Sequence, residues 1–147
     1  MDHKLPRVAF LLGLSGLLPQ ILAAAICLHP PHVAFGQFAA FLYAALIFSF
    51  LGGLWWGIAA TNQAAPRWLY AVAVMPTLIA YGAGLLWIVR GGSAGTSLNV
   101  VGIGLLVSPL IDWQLDRRGL VPGRWLTMRM MLSLGLGALT VLAAILG

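Results

Sequence analysis

Five apolar stretches dominate this chain, at residues 6–28, 34–60, 68–89, 96–115 and 125–146. Each reaches the roughly 20 residues that carry an α-helix across a bilayer. Hydrocarbon offers no partner for a free amide, so such stretches satisfy their backbone internally and become helices. Composition agrees: of 147 residues, 61% are hydrophobic and 7% are charged, against about 25% charged in a soluble domain. Only tails and short loops remain between the stretches, which leaves no room for a soluble domain. The sequence therefore predicts an all-α polytopic membrane bundle of five transmembrane helices, a single domain over residues 1–147.

The formal net charge of +5 is a matter of topology. In a five-span chain Lys4, Arg7, Arg67, Arg117, Arg118, Arg124 and Arg129 fall on one side, and Arg90 alone falls on the other. Basic residues gather on the cytoplasmic side, which predicts a cytoplasmic N-terminus and an external C-terminus. No run interleaves basic and aromatic residues as stacking and phosphate contacts require, so no nucleic-acid partner is expected. The expected partners are the lipid bilayer and a second copy or another membrane protein. Cys27 is the only cysteine and can form no internal disulfide. Lys4 and Arg7 ahead of an apolar run and Ala23-Ala24-Ala25 are reminiscent of a signal peptide. The run exceeds the roughly 7–15 residues of a signal core, so it is expected to stay as the first span. The expected location is a bacterial inner (cytoplasmic) membrane.

The second stretch organises the rest. Ala45, Ser49, Gly53, Gly57 and Thr61 recur every four residues, which places small side chains along one helix face. Such a stripe lets a neighbouring helix approach closely, and the tightest point is predicted at Gly53 and Gly57. Adjacent tryptophans point about 100° apart on a helix. Trp56 lies one turn after Gly52 and near the stripe, so it is predicted to face inward, with Trp55 as the interfacial anchor.

Polar residues inside the stretches are few. Gln20 shares a face with Gly16 and Ala24, and an amide in hydrocarbon needs partners, so it is expected to face another helix. Pro19, Pro76 and Pro109 each remove a backbone donor within a span. Thr77 is positioned to bond backbone freed by Pro76. Gly104, Ser108, Asp112 and Asp116 form a stripe in the fourth stretch, and Asp112 is the only acid within a span. The turn Gly119-Leu120-Val121-Pro122-Gly123 joins the fourth and fifth stretches as a hairpin, which brings Asp112 level with Arg129. A carboxylate and a guanidinium at one depth should pair. The pair reads first as a clamp. A proton or ion site is the alternative, because intramembrane acids are functional candidates by default. The fifth stretch, with Ser133, Gly135, Gly137 and Ala138 and no polar residue deeper than Thr140, reads as a packing surface.

Machinery for catalysis is not legible. There is no glycine-rich phosphate loop and no HExxH zinc motif. His29 and His32 sit three apart in a proline-bearing outer loop without Asp or Glu nearby, so no metal, cofactor or catalytic residue is expected, and no enzyme.

The motifs Gly16-Leu17-Leu18-Pro19, Ser49-Phe50-Leu51-Gly52-Gly53 with Trp56-Gly57, Pro76-Thr77-Leu78-Ile79-Ala80, Asp116-Arg117-Arg118 and Gly119-Leu120-Val121-Pro122 through Trp125 and Arg129 cover nearly the whole chain. In these the chain resembles a family of small five-helix membrane proteins catalogued as a domain of unknown function, relatives of mitochondrial transmembrane protein sixty-nine. It departs at Trp55, where a polar or basic residue is expected, and at Tyr81, where tryptophan is expected. The resemblance implies a fold and a membrane location, and no activity. Two readings follow. One is a non-enzymatic scaffold or assembly factor acting through small-residue helix contacts, with Ala45, Ser49, Gly52, Gly53, Trp56 and Gly57 as the helix-packing positions. The other is an oligomeric transporter or channel for an ion or small molecule using Gln20 and Asp112, within a candidate polar site of Gln20, Thr77, Asp112 and Arg129.

Overall fold

The computed structural model describes residues 7–147, so Lys4 and the start of the first apolar stretch lie outside the described residues. The described chain is all helical. Its helices are α1 (Arg7–Ser15), α2 (Leu18–Ile26), α3 (Val33–Thr61), α4 (Trp68–Arg90), α5 (Ala94–Val107), α6 (Pro109–Arg117) and α7 (Trp125–Ile145). A short 3₁₀ turn at Pro30–His32 leads into α3. α1 with α2, and α5 with α6, each make one broken span, so five units are long and apolar enough to cross a membrane.

The breaks follow from proline. Pro19 and Pro109 both sit in the first turn of the helix they begin, where a missing amide hydrogen costs nothing. The first interruption therefore falls at Gly16 and Leu17, ahead of the proline, where the chain tightens into three-residue turns. Pro76 behaves differently. It lies inside α4, and the helix runs through it without interruption. The helix ends are set locally: Gly91 takes φ +60 as the C-cap of α4, and the Ser93 hydroxyl accepts from the Thr96 amide at 3.1 Å to begin α5.

α3 is the central helix, packing on α2, α4, α5 and α7. Its core face carries Ala40, Ala44, Phe48 and Leu51 against Leu98, Val101, Leu105 and Leu136. The close crossings lie elsewhere than the stripe predicts. A Cβ on Gly137 would come within 3.0 Å of the Gly102 carbonyl, which marks a backbone-to-backbone contact of α5 with α7. Gly52 lies directly against the Ala73 carbonyl, bringing α3 onto α4 beside Pro76. Gly53 and Gly57, by contrast, have open space where a Cβ would go. The prediction of a tight Gly53–Gly57 crossing is thus corrected by one position. The core-facing rows run through Phe48, Gly52, Trp55 and Ala59, all buried, and the four-residue stripe through Gly53 and Gly57 turns outward. Ala45 and Ser49, half-buried, lie at the edge between the two faces.

Candidate functional site

Asp112 is fully buried. It stands one turn into α6, after the interruption at Ser108 and Pro109 that separates this short helix from α5. The Gly119–Gly123 turn then returns the chain so that α7 packs against α6. Arg129, one turn into α7, meets the acid: its Nε donates to Asp112 Oδ2 at 3.1 Å. This is the pairing read from equal distances to the turn.

Two indoles complete the carboxylate. Trp55 Nε1 donates to Asp112 Oδ1 at 3.0 Å, and Trp125 Nε1 reaches the same oxygen at 3.4 Å. The acid thus takes donors from α3 and α7 on both oxygens. Hydrogen bonds to a charged acceptor are the strong ones, and a buried charge needs them. The assignment of the tryptophan pair is therefore reversed from the sequence reading. Trp55 is 3% exposed and locked to Asp112, while Trp56 is 47% exposed and stacks edge-on against Tyr70. Proximity to the glycine stripe misled, because that stripe faces outward.

The guanidinium extends the cluster inward. Arg129 Nη2 donates to Ser133 Oγ at 3.1 Å, and Ser108 and Ser133 hydroxyls meet at 3.1 Å. Ser133 and Ser108 had no place in the predicted site. The four-residue spacing of Arg129 and Ser133 on α7 was the available signal.

Gln20 belongs to a separate polar point. It is fully buried, and its Nε2 donates to Thr140 Oγ1 at 2.9 Å and to the Ala40 carbonyl at 3.3 Å. Gln20 Oε1 has no partner among the described residues. α7 thus carries three polar anchors, Arg129, Ser133 and Thr140, which corrects its reading as packing alone. Thr77 joins neither cluster. It is exposed on α4 and lines an outer groove with Ser49 and Tyr81. Because α4 runs unbroken through Pro76, the backbone does not draw it inward. Of the candidate polar residues, only Asp112 and Arg129 come together. None of the cavities seen joins Gln20 to Asp112 among the described residues. No group of three His, Cys, Asp or Glu residues converges for a metal there either.

Asp112 and Arg129 are a buried pair of opposite charges held by three neighbours, Trp55, Trp125 and Ser133, which suits them to fix α6 and α7 against α3. Residues 5–145 match the family described as "Protein of unknown function (DUF3429)". The chain belongs to this family. It is also 39% identical over 84 residues to Transmembrane protein 69 of Xenopus tropicalis, a stretch covering 52% of this chain and 32% of the relative. The match thus spans about a third of that relative's length. No solved structure matches. The family is one of membrane proteins by the five apolar helices of this member.

Proposed function

We propose that this member of the family is a non-enzymatic membrane scaffold or assembly factor that presents the outward face of α3 to a partner helix. One observation carries the reading: Gly53 and Gly57 lie on an exposed helix face with nothing near the space a side chain would occupy. Lipid-exposed glycine gives no packing to its own fold, whereas a facing helix can lie close against it. The buried ion pair supports the same reading, because both oxygens of Asp112 are taken by donors within the bundle. The partner is a second copy or another membrane protein. We place the chain in a bacterial inner membrane with a cytoplasmic N-terminus. The cavity that Arg7 and Arg124 line together supports that orientation, since it gathers basic residues at one end of the bundle.

The test is a photoreactive side chain at Gly53 or Gly57, illuminated in native membranes. The reading expects one discrete protein adduct, lost when the reactive group moves to Leu134 or Leu142, exposed positions on α7. Adducts to lipid alone at Gly53 and Gly57 would remove the scaffold reading. The alternative of an ion or small-molecule transporter requires a path past Asp112, and its test closes the Discussion.

A further inference from the structure

A half-enclosed cavity of about 210 Å³ lies between the α1–α2 break, α3, α5 and α7. Most of its wall is apolar, with Leu17, Ile47, Leu51 and Leu136 among the lining. Two polar side chains reach it, Arg129 and Ser133. At its rim Leu12 is 67% exposed and Phe50 is 61% exposed. Both sit within spans, so the mouth opens sideways towards lipid. From Arg129 the lining continues along α7 to Leu136, about 10 Å deeper at 1.5 Å per residue. The space is therefore in the hydrocarbon layer.

Arg129 has one nitrogen to spare. Nε is committed to Asp112 and Nη2 to Ser133. Nη1 has no partner among the described residues, yet the one sealed and partnerless side-chain atom there is Gln20 Oε1. Nη1 thus has open space beside it, and the space that Arg129 lines is this cavity. A donor left idle in apolar surroundings is costly, so an acceptor entering here is rewarded. Its charge is constrained as well. Asp112 already balances Arg129, and an anion would bring uncompensated charge into a low-dielectric region. A neutral carbonyl oxygen brings none. Size adds a third limit: a cavity of roughly 150 Å³ in an engineered protein takes up benzene, so this one holds a substituted six-membered ring.

We propose that the cavity binds the uncharged ring of a membrane-dissolved quinone. A ring carbonyl accepts from Arg129 Nη1, and the alkyl tail leaves between Leu12 and Phe50. The proposal concerns binding, goes beyond the scaffold reading and does not depend on it. Phospholipid ester carbonyls are the competing acceptors. They sit at the interface, whereas this cavity begins a turn inside Trp125 and runs inward.

The test uses the full chain in phosphatidylcholine nanodiscs with an azido-benzoquinone bearing a ten-carbon tail. Illumination should label peptides that line the cavity, saturably, and an unlabelled decyl-benzoquinone should compete. Ile47→Phe, which fills the space, should cut labelling at least tenfold. Leu132→Phe serves as a second filling variant where the first lowers yield. Thr77→Phe, in the outer groove of α3 and α4, should leave labelling intact. Labelling unchanged in a folded filling variant would overturn the site. So would a photoactive phosphatidylcholine acyl chain that labels the same residues and is not displaced by the quinone.

Discussion

The Asp112 cluster makes a quantitative prediction about coupling. Asp112→Leu leaves the Arg129 charge without its counter-ion and Trp55 Nε1 without its acceptor. Breaking a buried pair from one side costs roughly 3–5 kcal/mol, and the position one turn from the end of α7 points to about 3 kcal/mol. Adding Arg129→Met removes the stranded charge. Ser108 and Ser133 still satisfy one another. Trp125 is half-buried and can turn towards the interface. Trp55 is 3% exposed and cannot, so its orphaned donor leaves about 1–3 kcal/mol of the loss in place. The double variant is thus expected to be more stable than Asp112→Leu and less stable than the parent. Trp55→Phe distinguishes the cause. In the parent it removes a hydrogen bond to a charged acceptor, worth about 1.5–3 kcal/mol. In the double variant no acceptor remains, so the same substitution should cost at least about 1 kcal/mol less. Reversible unfolding in mixed detergent micelles, followed by far-UV circular dichroism, measures all five proteins. Losses that add within about 0.5 kcal/mol would mean that the groups act independently, and the cluster would not be a lock.

Three further outcomes follow from the packing and from the placement of charge. Gly52→Leu and Gly137→Leu should destabilise the bundle by at least about 1–3 kcal/mol, the usual cost of overpacking; Gly53→Leu and Gly57→Leu should fold with parental thermal stability and lose the partner adduct. Gln20→Met should leave stability unchanged or raise it by about 1 kcal/mol, since it discards a partnerless buried oxygen at the loss of bonds worth about 0.6 kcal/mol each; a loss above about 2 kcal/mol in the same unfolding assay would contradict this. A reporter fused after Gly147 should behave as external, and cytoplasmic behaviour would reverse the orientation.

The five helices were legible because length and hydropathy leave a membrane chain few choices. The Asp112–Arg129 contact was legible for a related reason: a tight turn fixes the register of a hairpin, and equal distances from Gly119–Gly123 fix depth. Facing was harder to read. In a bundle whose lipid side is as apolar as its core, hydrophobic periodicity carries little information. The stripe of Gly53 and Gly57 and the core row of Gly52 and Trp55 differ by a rotation of one residue. Small size marked both equally. The tryptophan pair did not separate them, because Trp55 and Trp56 carry the same indole and only the position of Asp112 decides which turns inward. Thr77 failed similarly, since a proline within a membrane helix need not open it. Ser133 and Ser108 were hidden by their small size and by membership of two different spans.

The central claim is that the buried charge holds the fold together and carries nothing across the membrane. Purified protein reconstituted in liposomes, with a pH-sensitive dye inside and an imposed proton gradient and membrane potential, tests it most directly. The account expects proton and cation flux equal to that of protein-free liposomes for both the parent and Asp112→Leu with Arg129→Met. Protein-dependent flux that disappears in this double variant, while the variant remains folded, would contradict it and make Asp112 part of a transport path.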